Sequence, residues 1–163
     1  MVSKHNLGER GYADGNVKQQ RAGVAGQYIL SKILNTETSF DKGFDGGVDL
    51  TINNKTYDVK TMGRTSYPED NYVNNLVGMQ AKYDVDRYIF CSLHKKDKVL
   101  TICGWIDKDE FINKAKFFAT GVERIRFDGT KFITKCDLYE LENKYLVQSN
   151  TIDEFKSQLF LPD

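Results

Sequence analysis

The stretch Gly46-Gly47-Val48-Asp49-Leu50-Thr51-Ile52-Asn53-Asn54-Lys55-Thr56-Tyr57-Asp58-Val59-Lys60-Thr61-Met62 constrains this chain more than any other. Asparagine tolerates the left-handed backbone that two-residue hairpin turns need, so Asn53-Asn54 between two alternating runs predicts a β-hairpin. With that turn Ile52 pairs with Lys55, and Asp49 falls opposite Asp58. Alternation then puts Asp49, Asp58 and Lys60 on one face and Val48, Leu50, Ile52, Tyr57 and Val59 on the other.

Two carboxylates directly across a hairpin repel one another. A cation between them removes the conflict, and Asp oxygens suit a hard ion such as Mg²⁺, which keeps several waters and takes further ligands from phosphate. Asp49 and Asp58 are therefore the expected metal ligands, with the carbonyl of Val59 as a third. Lys60 would point at the attacking water or at the phosphate, ordering or activating the nucleophile beside a Lewis acid. Mn²⁺ is an acceptable substitute for Mg²⁺ at such a site. As an ordinary exposed ion pair, Asp49 and Lys60 would contribute little. The hairpin register, the second Asp and the preceding glycines favour a site.

Asp49 followed across a hairpin by Asp58-Val59-Lys60 resembles the PD-(D/E)xK nuclease superfamily. The resemblance covers residues 20–106 and implies an α/β fold, a central mixed β-sheet flanked by helices, with a restriction-endonuclease-like core. It implies a Mg²⁺-dependent deoxyribonuclease, an endonuclease acting on DNA, of the compact kind found in viruses and mobile elements. Resolvases of this kind often work as homodimers that cut two strands symmetrically. Val48 stands where the family name puts proline, a common change. In the helix before the first strand, where the family often supplies Glu, Gly23-Val24-Ala25-Gly26-Gln27 offers Gln27, which brings an amide oxygen and no charge. Glu9 is the alternative donor.

With 163 residues the chain fits one domain: an arm over 1–20, a nuclease-like core over 21–106 and a C-terminal extension over 107–163. Lys and Arg together number 23, as do Asp and Glu, so the total shows no electrostatic footprint of tight nonspecific DNA binding. Cys91, Cys103 and Cys136 are scattered and read as reduced core residues. No apolar run reaches membrane-spanning length and Met1 to Arg10 lacks the apolar centre of a signal peptide, so a cytoplasmic protein without membrane contact is expected.

In chain order, Val24, Tyr28, Ile29 and Ile33 predict an amphipathic helix over 21–35. Gly23 and Gly26 cost helix propensity, with close approach to the sheet or a frayed helix start as the two accounts. The polar loop after Lys60 supplies Arg64, Thr65 and Ser66 as phosphate donors, and Tyr67 and Tyr72 as rings that stack on bases. A second helix is expected over 74–83, carrying Gln80 and Lys82 toward nucleic acid. Residues 88–93 and 99–106 read as paired core strands joined by a charged turn, with His94 structural and Trp105 a core anchor. Asp107 and Glu110 form a capping box, with Ile106 stapled to Phe111, opening a helix to about Phe118. Asp128-Gly129 marks a hairpin, 139–141 and 145–147 read as short strands, and Thr151 with Glu154 caps a last helix whose apolar side is Ile152, Phe155 and Leu159.

A catalytically inactive nucleic-acid- or protein-binding module on the same fold is the alternative reading, motivated by Gln27 and the neutral charge. The substrate form, the oligomeric state and the mode of cutting stay open at this level.

Overall fold

The computed structural model describes residues 17–36, 47–126 and 128–161. Glu9, most of the expected arm and the glycine-rich approach up to Gly46 lie outside the described residues.

The described residues form a mixed α/β fold with three α-helices and a mixed four-stranded sheet. Strands β1 (Leu50–Ile52), β2 (Lys55–Arg64), β4 (Arg87–His94) and β5 (Val99–Asp107) lie in the order β1-β2-β4-β5. Only β2 and β4 run parallel within this sheet. The hairpin register is the expected one, Ile52 with Lys55 and Leu50 with Tyr57, and Asn53 and Asn54 take φ of 49° and 64°.

One face of this sheet is covered by α1 (Val17–Leu34) and α3 (Ile152–Phe160). Leu30 and Leu34 of α1 and Phe155 and Leu159 of α3 pack there with Leu50, Ile52, Tyr57, Val59, Ile89 and Cys91. The opposite face is covered by α2 (Lys108–Lys114) and an antiparallel sheet of β3 (Val73–Val77), β9 (Leu138–Glu142) and β6 (Lys116–Phe118). Leu76, Leu141 and Phe111 meet Tyr88, Phe90 and Ile106 in that second core. A hairpin of β7 (Glu123–Ile125) and β8 (Lys131–Ile133) flanks Asp128-Gly129 as expected. No helix among the described residues is long and apolar enough to cross a membrane. All three cysteines are free.

Several expectations are corrected. Helix α1 begins at Val17 and turns Ala22, Gly26 and Leu30 to the sheet, leaving Tyr28 exposed. The reason is Gly26, where an added Cβ would lie 1.9 Å from the Thr61 hydroxyl oxygen, so the side without bulk seats the helix. Gly23 meets nothing nearby. The expected helix over 74–83 is strand β3 followed by a 3-10 turn, Gln80–Lys82. β9 supplies the ladder, and buried Asn74 donates to the Leu141 carbonyl at 3.2 Å and to the Asn143 side chain at 2.7 Å. The helix after Asp107 ends at Lys114 and residues 116–118 form β6. Residues 143–145 form a 3-10 turn, and Val147 makes an isolated bridge to Trp105. Ile152 is exposed and only Phe155 and Leu159 of its helix are buried.

Candidate functional site

Position 49 is where the hairpin departs from simple alternation. Leu50 is the register partner of Tyr57, yet the Asp49 N–H also donates to the Tyr57 carbonyl at 2.9 Å. Two residues against one is the pattern of a β-bulge, which re-aims side chains. Val48 consequently joins the second core and not the helix-covered face expected for it. The Asp49 carboxylate extends along the edge of β2 and accepts the Val59 N–H at 2.8 Å. In an extended strand the N–H and C=O of one residue point the same way, so the Val59 carbonyl faces the edge where Asp49 lies.

Asp58 and Lys60 project from β2 toward the second core, in register with Tyr88 and Phe90 of β4. The Asp58 side chain is 3% exposed, and Lys60 Nζ lies 3.0 Å from its Oδ2 while keeping 21% of its own side chain in solvent. Burial alone would lower the lysine pKa. The charge of Asp58, then that of Asp49, reverses the effect and raises it above the ordinary value. Lys60 is therefore held as an ammonium, which donates hydrogen bonds and neutralises charge but has no lone pair to accept a proton. Two carboxylates and one ammonium thus act on one another here.

Two other residues at this place carry no local signal in the sequence. Tyr83 packs over Gly47, where an added Cβ would lie 2.4 Å from its ring, and Gly47 also has φ of +88°. The phenol lies near enough to Lys60 to act on its charge, and Lys108 Nζ fixes the Tyr83 carbonyl at 2.6 Å. Nothing local in the sequence links Tyr83 to Gly47; only the tertiary fold joins them. Tyr88, the register partner of Asp58, is fully buried, and its hydroxyl has no hydrogen-bond partner among the described residues. Burial first and Asp58 second push its pKa up, so this phenol stays neutral.

The remaining candidates are spread more widely. Gln27 follows Gly26 on α1, which is seated on the opposite face of β2 from Lys60, and makes no hydrogen bond to Asp49, Asp58 or Lys60. Arg64 shares the Lys60 face, but its Nη2 donates to the Val73 carbonyl at 2.7 Å and its guanidinium lies 4.9 Å from the centre of the Tyr72 ring. Thr65 is exposed, and Ser66 hydrogen-bonds the Tyr72 hydroxyl at 2.8 Å. Gln80 is half-buried in the 3-10 turn. Lys82 is exposed, with its charge acting on Asp137.

Among the described residues no three His, Cys, Asp or Glu side chains gather as a metal site. The donor set on offer is thus two carboxylates and a backbone carbonyl, a sparse all-oxygen set of the kind Mg²⁺ accepts. No family model, no curated protein and no solved structure matches this chain.

Proposed function

We propose that this protein is a metal-dependent nuclease that hydrolyses phosphodiester bonds, with DNA as the substrate and a core of the restriction-endonuclease type. The observation that carries the reading is the association of Asp49, Asp58 and Lys60 around Val59, two carboxylates and an ammonium brought to one stretch of backbone. The parallel pairing of β2 with β4 inside a mixed sheet that has helices on both faces is compatible with it.

Asp49, Asp58 and the Val59 carbonyl would hold Mg²⁺, or Mn²⁺ in its place. When bound, the ion supplies Lewis acidity and makes water a stronger nucleophile at neutral pH. Lys60, kept cationic by its neighbours, orients a phosphate oxygen and offsets charge that develops on it. The bond between Asp49 and the Val59 N–H fixes one carboxylate to the backbone that carries the other, so the donors are set before substrate arrives.

The test is cleavage of labelled linear, circular and four-way-junction DNA with Mg²⁺, Mn²⁺ or EDTA, with Lys60→Ala in parallel. Cutting that needs metal and disappears in Lys60→Ala is the expected result. DNA binding without cutting in either metal, by protein whose melting curve is intact, would overturn the enzyme reading and leave a binding module.

A further inference from the structure

Tyr67 is held in an unusual way for a residue in a polar surface loop. Its ring stacks on His94 with centroids 4.5 Å apart and planes 25° apart, and its hydroxyl donates to Asp97 Oδ2 at 2.7 Å. His94 is itself fixed: it is 8% exposed, and its Nδ1 accepts the Asp97 N–H at 3.0 Å. Tyr67 nevertheless remains 49% exposed. A ring pinned by one face and its hydroxyl, with the rest open, has already given up the freedom that stacking would otherwise cost.

Its position relative to Lys60 follows from strand parity. His94 is the register partner of Arg64, as Phe90 is of Lys60, so His94 and Lys60 belong to the same face of the sheet. Four residues of strand separate Lys60 from Arg64, roughly 13 Å, and Tyr67 lies beyond that end. Lys95, Lys96 and Lys98, all exposed, surround Asp97 at the tip of the β4–β5 hairpin and bring an excess of positive charge next to the ring. Tyr72, by contrast, is covered by Arg64 and spends its hydroxyl on Ser66, so only one of the two expected rings is open.

We propose that Tyr67, seated on His94, is a stacking platform for an unpaired base, and that the substrate accordingly presents a single-stranded DNA segment along the β2 end of the sheet. The lysines of the tip take the flanking phosphates. The platform rests on the nuclease reading, which it deepens by naming the form of the substrate.

The experiment measures, in EDTA, the affinity of the full-length protein for a single-stranded oligonucleotide carrying 2-aminopurine and for the matching duplex, together with quenching of the 2-aminopurine signal. Tyr67→Ala should weaken single-strand binding roughly 5- to 150-fold, the effect of losing one stacked base, abolish the quenching and leave duplex binding unchanged. Tyr67→Phe keeps the ring and should retain both signals. Tyr67→Leu fills space against His94 without offering a π-face and should behave as Tyr67→Ala, which guards against a loop that merely collapses. Wild-type affinity in Tyr67→Leu or Tyr67→Ala, in a protein that still cuts DNA, would overturn the platform and leave the nuclease reading standing. A wild-type protein that neither binds nor cuts any of these DNAs would overturn both.

Discussion

The four-stranded sheet buries a charged cluster on each of its faces, and the two are built differently. On the helix-covered face Arg87, 7% exposed, donates from Nε to Asp107 at 2.8 Å and from Nη1 to the Tyr57 hydroxyl at 3.0 Å, with its guanidinium 4.5 Å from the Trp105 ring centre. The guanidinium is held there by a carboxylate and lies against the rings of Tyr57 and Trp105. On the other face Asp58 and Lys60 meet at 3.0 Å, with Asp49 close enough to raise the lysine pKa further and bonded to the backbone next to Asp58. Burial of charge is common to both clusters and distinguishes nothing. What suits the second to the proposed metal is a pair of carboxylates on adjoining backbone, Asp49 being bonded to the Val59 N–H next to Asp58.

The largest expected effects separate the clusters by what each loses. Arg87→Met removes a buried cation, takes away its hydrogen bond to the Tyr57 hydroxyl and strips packing from Trp105, and should cost about 2–4 kcal/mol of stability. Cleavage per folded molecule should be untouched. Asp58→Asn keeps shape and one hydrogen bond to Lys60, so its stability cost is smaller, while cleavage should fall on the order of 100-fold or more, since about 2.7 kcal/mol of transition-state stabilisation would go with the metal site. Melting with and without Mg²⁺ provides a readout independent of activity. An ion present at a hundred times its dissociation constant stabilises by about 2.7 kcal/mol, a gain that Arg87→Met should retain and Asp58→Asn should lose. The comparison collapses if Mg²⁺ stabilises both variants equally.

The two clusters were not equally legible in the sequence. The Asn53-Asn54 turn and the alternation of Leu50 to Lys60 are local properties, and they led to the observed register and to Asp58 and Lys60 on one face. They did not give the bulge at Asp49, because one extra residue against Tyr57 leaves no mark in composition and moves Val48 to the other core. Nor did they give the covering of both faces, since the strands over Asp58 and Lys60 come from residues 73–77 and from 138–142, paired with each other far along the chain. Leu76 and buried Asn74 alternate as a strand does, but that alternation is too short to outweigh helix-compatible neighbours until β9 is beside it. The Arg87 cluster was invisible for the same reason: Asp107 reads locally as a helix cap, and Arg87 lies twenty positions earlier.

A smaller effect tests whether the helix-covered face is governed by packing. Gly26→Ala would place a methyl group 1.9 Å from Thr61 Oγ1 and 3.0 Å from its Cβ. Overpacking of this sort costs about 1–3 kcal/mol, against roughly 1 kcal/mol gained in helix propensity. Thr61→Ala removes the obstructing hydroxyl, whose oxygen is buried with no hydrogen-bond partner among the described residues, so the double variant should recover most of the loss in a urea titration. Cleavage per folded molecule should not change in either variant. A double variant no more stable than Gly26→Ala would mean that α1 is held off the sheet by something other than Thr61.

The smallest effect decides what Asp107 does for the Arg87 cluster, and its control is the last helix. Thr151 caps α3 by accepting the Glu154 N–H at 3.1 Å, and Glu154 Oε2 reaches back to the Asn150 N–H at 2.8 Å. Asp107 occupies the equivalent place before α2 and makes no side-chain cap, because its carboxylate is held by Arg87. Thr151→Ser should therefore be neutral and Thr151→Ala should cost about 1 kcal/mol. Asparagine caps helices as well as aspartate does, so Asp107→Asn would also be neutral if capping were its role. Bound to Arg87 it should instead cost up to about 1 kcal/mol, limited because its side chain is 53% exposed. The cost should vanish when Asp107→Asn is made in an Arg87→Met background, where no cation is left to lose. A cost that persists there would mean that the Asp107 charge acts on something other than Arg87, while no cost in either background would assign Asp107 to the helix after all.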